Sequence, residues 1–483
     1  MHTGLKIPLL LLVCLSLGNR IIAQNPAYSP LQDDPILRRQ LTEATEKRYR
    51  QDLSGLNGNH KKQLEALYKE RYLKIQRMYT AKDIIAEGRA AAYLQSLANE
   101  IIKGNPALSS LDTRIVFSRA WWPNASSMGE GTIIFNIGLF NRLDNESQAV
   151  FVLCHELAHL YLNHSNNSIA RYVSTVNSDE FQKELKRIEE SEYHKNQQVG
   201  SLVKNLAFRS RRHSREHETE ADSLALEWMK NTSFDVRHSL TCLALLDSAD
   251  RDRFDINPDL HQVFHSKEYP FQARWVKQEE GLFSDMAAHT EEEKKRERDS
   301  LKTHPDCSNR IKRIAGRVEQ YYKSGSRAFV VNEEQFKKLQ SDFHYEIIEH
   351  CYRTGNISRS LYYSLKMLPG NRSDAYLVTS VGRCLNEIYK AQKAHTLAKI
   401  VDLPSPYHDK KYDKLLRFIQ QLRLPDIAAI SYYYLLLYQT ELAFHEDFLD
   451  ALITSKTIYN KPEERKYWVD RYQKQFPNGK FEY

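Results

Sequence analysis

The chain has 483 residues, enough for two or three domains. Hydrophobic residues make up 41% and charged residues 27%, a balance that excludes an intrinsically disordered chain. The formal net charge is +7, but acids and bases are interleaved, as in Glu292 to Lys295, and no basic block stands out. We therefore expect no nucleic-acid partner.

The N-terminus has the features of a secretory signal. Lys6 gives a basic start, Ile7 to Gly18 is a short apolar run, and Ala23 suits a cleavage position. The run is shorter than the roughly 20 apolar residues of a membrane span, although an uncleaved anchor is the alternative. We expect residues 1–23 to be a signal peptide. The mature chain is then exported, periplasmic or secreted, with no transmembrane segment.

The next predicted elements are helices followed by two strands. Apolar residues at helical spacing predict helices from Pro35 to Lys103. Two β-like runs follow, Thr113–Phe117 and Thr132–Asn136, and the prolines and glycines between them predict a turn. A nearly continuous apolar run from Ala149 to Leu162 predicts a buried helix.

This buried helix carries the sequence His155-Glu156-Leu157-Ala158-His159. Residues four apart lie on one face of a helix, so both imidazoles can reach a single ion and Glu156 can act beside it. Burying two histidines and a carboxylate without partners is costly, and a metal supplies a reason for them. The pattern predicts one catalytic Zn²⁺ per chain, with Glu156 as the general base of a hydrolase.

A catalytic zinc takes three protein ligands, so one more ligand is needed. Asp179 and Glu180 are one candidate pair. Glu218, on a second predicted helix, is the other candidate, and Asp222 lies one turn further on, where it can accept a hydrogen bond from a ligand imidazole. His164 has the wrong offset for a ligand, and we expect it at the C-terminal end of the helix.

The rest of the chain is predicted to be helical. From about residue 328 onward, amphipathic helices follow one another, and they are similar either to degenerate tetratricopeptide repeats or to a generic helical bundle. Five cysteines would remain after signal cleavage, and their scattered positions do not suggest a disulfide framework.

Four separated motifs resemble the M48 family of zinc metallopeptidases, the Ste24-like and HtpX-like proteases and their soluble periplasmic relatives. The resemblance covers roughly Ser109 to Gly316. Its pieces are Pro123-Asn124-Ala125 with Gly129 and Gly131, Asn145-Glu146 before the HExxH, Glu218-x-x-Ala221-Asp222, and His304-Pro305 with Arg310.

The resemblance implies that Glu218 is the third zinc ligand. Under this resemblance, Asp222 does not bind the metal itself but contacts one of the ligand side chains. It also implies that His304 and Arg310 approach the active site, as donors to the oxyanion or to the substrate. The implied fold is α+β and mainly helical: a zincin-type (gluzincin) domain with a small β-sheet, then an all-α domain. We expect an N-terminal helical region at 24–108, the protease core at 109–320 and the helical domain at 328–483.

We predict a zinc endopeptidase that cleaves exported or misfolded envelope proteins, with protein partners bound by the C-terminal helices. The run Thr132–Asn136 would be either an edge strand that pairs with an extended substrate or an internal strand. The alternative function is a non-catalytic chaperone-like scaffold, which the presence of Glu156 argues against. An aminopeptidase is disfavoured, because no motif for grasping a free amino terminus is found.

Overall fold

The structure is a computed structural model that describes residues 28–190, 214–247, 259–276, 307–371, 373–405 and 408–483. The predicted signal peptide and the charge-rich stretch at 291–302 lie outside these residues. Within them the protein is mainly helical with one small sheet, so the predicted α+β fold class is confirmed. None of the described helices is long and apolar enough to cross a membrane.

Between residue 28 and the sheet lie three α-helices, α1 (Pro35–Ser54), α2 (Lys61–Thr80) and α3 (Gly88–Gly104). In α3, the Glu87 side chain accepts a hydrogen bond of 2.8 Å from the backbone N–H of Ala90, which satisfies one of the donors left over at a helix start. Leu94, Leu97 and Ile101 share one face of α3 and are fully buried.

The sheet contains β1 (Arg114–Ser118), β2 (Ala125–Ser127) and β3 (Thr132–Asn136), in the order β1-β3-β2. β1 runs parallel to β3 and β2 antiparallel to it. The stretch in which a turn was predicted also contains β2, a strand that was not predicted. This strand has three residues, too few to show an alternating pattern.

The sheet separates two cores. Side chains alternate along a strand, so Phe117 and Phe135 enter the main core with α3, whereas Val116 and Ile134 pack against α2. Gly131, in the turn before β3, has φ +105°, and a Cβ there would lie 2.2 Å from the carbonyl oxygen of Asp112. The turn therefore requires glycine.

Among the described residues, seven α-helices follow the sheet before residue 277. In chain order they are α4 (Ile137–Phe140), α5 (Glu146–Tyr161), α6 (His164–Val176), α7 (Asp179–Glu190), α8 (214–230), α9 (His238–Asp247) and α10 (Leu260–Phe264). Almost every residue of α5 is buried, as the continuous apolar run predicted.

The remaining described helices run to the C-terminus. They are α11 (Cys307–Tyr321), α12 (Glu333–Arg353), α13 (Ile357–Met367), α14 (Ala375–Lys393), α15 (Lys410–Gln421), α16 (Leu424–Tyr438), α17 (Glu446–Ile458) and α18 (Pro462–Gln475). No disulfide joins the five cysteines within the described residues. Whether these helices form repeats of the tetratricopeptide type stays a prediction.

Helix α12 belongs to two cores at once. Phe336 and Phe343 pack into the main core beside the sheet, whereas Ile348 packs into the core of the C-terminal helices. The predicted domain boundary at residue 328 therefore precedes a helix that both parts of the protein share.

The start of α5 is anchored to the segment that leads into α12. The carboxylate of Glu146 is fully buried and accepts hydrogen bonds from the backbone N–H groups of Val330, Val331 and Asn332 at 2.6–2.7 Å. It also accepts one of 2.7 Å from the Tyr93 hydroxyl. Four donors thus compensate the desolvation of this charge.

A group that we call the junction cluster, Tyr28, Asp33, Arg119 and Glu346, joins the N-terminal segment, the end of β1 and α12. Arg119 Nε donates to Glu346 Oε2 at 2.7 Å, and both side chains are almost fully buried. Glu346 Oε1 also accepts from the Tyr28 hydroxyl at 2.6 Å. Burial and the Glu346 charge raise the pKa of Tyr28, so its hydroxyl keeps the proton that it donates.

Candidate metal centre

The two histidines of the HExxH sequence meet on one face of α5. Asn145 caps the helix by accepting a hydrogen bond of 3.1 Å from the N–H of Gln148, and the helix then continues without a break to Tyr161. His155 Nε2 and His159 Nε2 lie 3.0 Å apart. The spacing of four residues thus brings both ring nitrogens to one point.

Glu218, on α8, supplies a third donor at the same point. Its Oε2 lies 3.4 Å from His155 Nε2, and its Oε1 lies 3.4 Å from His159 Nε2. Ligand atoms of these three side chains all lie within 4.8 Å of one another, and no other such group of His, Cys, Asp or Glu was found among the described residues. Asp179 and Glu180 are exposed at the start of α7 and are not part of it.

The three donors fit a zinc ion. Tetrahedral zinc with bonds of about 2.0–2.1 Å holds its ligand atoms about 3.3 Å apart. The separations of 3.0, 3.4 and 3.4 Å agree with that value. Two neutral imidazoles and one carboxylate are also a donor set that suits zinc, and three ligands leave a fourth position for water.

Asp222 and Arg310 support the site from behind His155. Asp222 Oδ1 lies 3.0 Å from His155 Nδ1, the ring nitrogen that faces away from the other donors. Arg310, on α11, binds Asp222 through both Nε (2.7 Å) and Nη2 (2.6 Å), and its Nη1 lies 3.1 Å from Glu218 Oε2. One guanidinium therefore orients two of the carboxylates.

The charges of this group shift several pKa values. Burial alone would raise the pKa of Asp222, but the hydrogen bonds and charge of Arg310, with those of His155, lower it to about 2. Burial alone would lower the pKa of His155, but the hydrogen bonds to Asp222 and Glu218 raise it to about 9. The same carboxylates that attract a proton to this position would attract a divalent cation.

The other histidine has a different environment. Burial lowers the pKa of His159, and the hydrogen bond to Glu218 does not outweigh it. The predicted position of His164 was wrong. Its side chain is buried as the first residue of α6, after Asn163 turns the chain with φ 57°. An asparagine at a helix end was the signal for this turn.

A small, mainly apolar cavity adjoins His155 and Glu156. Its other lining residues are Asn124, Ala125, Leu139, Phe151, Val152, Leu246 and Arg310. Ala125 belongs to β2, the outer strand of the sheet on this side. The prediction that Thr132–Asn136 is an edge strand was wrong, because it forms β3, the central strand, and the alternative of an internal strand was right.

Most of the predicted site residues come together. His155, Glu156, His159, Glu218, Asp222 and Arg310 are contributed by α5, α8 and α11, which lie far apart in the chain. Glu156 is buried and lines the cavity beside His155. His304 lies outside the described residues.

Comparison with known families agrees with this arrangement. Residues 89–318 match the model of peptidase family M48, whose members are zinc metallopeptidases that act on protein or peptide substrates. The match spans the sheet, α5, α8 and nearly all of α11, and so contains the whole group described above. No curated protein matches the chain.

Proposed function

We propose that this chain, whose residues 89–318 match the model of peptidase family M48, is a zinc-dependent endopeptidase that cleaves exported or misfolded proteins of the cell envelope. One observation carries the proposal. The donor atoms of His155, His159 and Glu218 converge within 4.8 Å of one another, beside a cavity that His155 and Glu156 line.

Each side chain has a role in the proposed mechanism. His155, His159 and Glu218 would hold one zinc ion, which when bound lowers the pKa of water and polarises a carbonyl. Glu156 would take the proton from the attacking water and pass it to the leaving amine. Because Glu156 lines the cavity beside His155, its carboxylate would be close to both events.

Asp222 and Arg310 would act through the ligands. Asp222 fixes the proton of His155 on Nδ1, which leaves Nε2 free to bind metal. Arg310 has donors directed to Asp222 and Glu218, so we assign it a positioning role rather than that of an oxyanion donor. We propose His304 for that donor.

The sheet supports cleavage within a chain rather than at its end. β2 pairs only with β3 among the described strands, and its residue Ala125 lines the cavity. An extended peptide added to this outer strand would bind through its backbone, which requires neither a free terminus nor a particular sequence. Unfolded exported proteins could bind in this way. The predicted signal at 1–23 would bring the enzyme to the same compartment as these proteins.

Proteolysis of an unfolded protein with a blocked N-terminus tests the proposal. We expect the wild type to produce internal fragments and Glu156→Gln to lose about 10²–10⁴-fold of that rate, while still binding one zinc per chain. A chelator should stop the wild type, and added Zn²⁺ should restore it. Equal cleavage by both proteins would refute catalysis at this site. Binding of the substrate without cleavage by the wild type would favour the scaffold alternative.

The choice of the third ligand has its own test. Glu218→Ala should abolish stoichiometric zinc binding, whereas Glu180→Ala, which removes an exposed carboxylate of α7, should leave one zinc per chain. Retention of zinc by Glu218→Ala would exclude Glu218 as a ligand.

A further inference from the structure

His164 lies between the second histidine of the site and the surface. Its Nδ1 is 3.0 Å from His159 Nδ1, and its Nε2 is 3.0 Å from Glu220 Oε2. The His217 ring stacks on the His164 ring with centroids 4.0 Å apart and planes 9° from parallel. His164 is therefore held by polar contacts at both nitrogens and by an aromatic neighbour on one face.

The position of the His159 proton determines the direction of both hydrogen bonds of His164. His159 faces the metal position with Nε2, so in the neutral ring the proton must be on Nδ1, which donates to His164 Nδ1. His164 then carries its own proton on Nε2 and donates it to Glu220. In this chain of two hydrogen bonds, from His159 to His164 and from His164 to Glu220, each donor faces an acceptor. The last acceptor is a carboxylate.

We propose that His164 is a positioning residue that sets the ring orientation and the proton of His159, with Glu220 and His217 holding it in place. This inference rests on the proposed function. It gives His159 an outer partner equivalent to the one that Asp222 gives His155, but built from a neutral imidazole rather than a carboxylate.

The local backbone supports this role. α5 ends at Tyr161, and the left-handed conformation of Asn163 starts α6 at once, so that His164 turns back toward His159. Glu220 lies two residues after Glu218 on α8, so the same helix that supplies the third donor also supplies the last acceptor of these two hydrogen bonds. Three helices thus meet at His164.

Three substitutions separate the contacts of His164. An asparagine places an amide oxygen near the position of Nδ1 and keeps an acceptor for His159. A glutamine reaches toward the position of Nε2 and keeps the contact with Glu220 only. A phenylalanine keeps the ring that stacks on His217 and removes both polar contacts.

The full-length chain is titrated with Zn²⁺ against a chromophoric chelator, and the visible spectrum of bound Co²⁺ is recorded. His164→Phe and His164→Gln should raise the dissociation constant for Zn²⁺ about 10–100-fold and change the Co²⁺ spectrum. His164→Asn should stay within about threefold of the wild type. Thermal unfolding without metal shows whether each variant is folded.

A wild-type dissociation constant in a folded His164→Phe variant would overturn the inference. If His164→Phe does not fold, the Asn and Gln variants decide, and equal constants for these two would overturn it. These outcomes leave the proposed function intact. Retention of metal by Glu218→Ala, or a wild type that binds no zinc, would refute the proposed function and this inference with it.

Discussion

Two buried clusters of this protein each place an arginine on a carboxylate, yet only one adjoins the cavity. In the junction cluster, Arg119 binds Glu346 and gives further donors to the carbonyl oxygens of Lys82 and Leu31. In the site, Arg310 binds Asp222, which contacts His155. A buried ion pair is therefore no sign of function by itself. What indicates a functional site here is that three ligand atoms converge beside a cavity.

The largest expected effect comes from breaking the junction cluster. Glu346→Ala leaves the Arg119 guanidinium buried without its main partner, and we expect the free energy of unfolding to fall by about 3–5 kcal/mol. Denaturant unfolding measures this. Glu387→Ala, which removes a more exposed helix pair with Lys390, is the control and should cost under about 1 kcal/mol. Equal losses in the two variants would contradict the assigned burial cost.

The next effect depends on pH. Burial, followed by the charges of Arg353 and Arg119, lowers the pKa of His350 to about 4, so the folded protein keeps this ring neutral. The unfolded chain takes up a proton below its ordinary pKa of about 6.5. Between about pH 6.5 and pH 4 the unfolded chain therefore binds more protons than the folded protein. The free energy of unfolding falls by up to about 3 kcal/mol as the pH is lowered through this range.

His350→Gln removes this titration. The stability of the variant, measured by denaturant unfolding between pH 7 and pH 4, should change less with pH than that of the wild type. Parallel curves for the two proteins would show that His350 is not held neutral.

A smaller effect distinguishes the two clusters, because one variant should change metal affinity and the other should change stability. Asp222→Asn keeps the size of the side chain but removes the charge behind His155, and we expect the dissociation constant for Zn²⁺ to rise about 10–100-fold. Glu346→Gln, the matched change in the junction cluster, should lower stability and leave metal affinity unchanged. Competition titration with a chelator measures both. A similar loss of affinity in the two variants would erase the distinction between the clusters.

The smallest effect concerns one hydroxyl. Tyr28→Phe removes the hydrogen bond to Glu346 Oε1, which keeps the backbone N–H of Leu31 as a donor. We expect a loss of about 1 kcal/mol in unfolding free energy with metal affinity unchanged. A loss as large as that of Glu346→Ala would mean that Tyr28, rather than Arg119, is the main partner of this carboxylate.

The sequence predicted the residues of the candidate metal centre and missed the strand beside it. The spacing of His155, Glu156 and His159 is a property of one helix, and Glu218 and Asp222 share a face of another, so periodicity and the family motif could find them. The strand β2 was missed because three residues between a proline and two glycines show no alternation.

The contacts of Arg119 and His164 could not be predicted for a different reason. Arg119 and Glu346 are separated by 227 positions, and no local pattern connects them. His164 meets Glu220 across 56 positions, through a turn whose geometry depends on Asn163. Both contacts are set by how helices pack, which residue spacing does not encode.

The anchoring of Glu146 bears on how this protein can be divided. A chain that ends after Ala328 would lose three of the four donors that surround this carboxylate, and the charge would be left at the first turn of the helix that carries His155 and His159. The peptidase fragment alone would then have to rebuild the start of that helix. The segment that leads into the C-terminal helices is thus part of what keeps the ligand-bearing helix in place, and a peptidase fragment has to retain it.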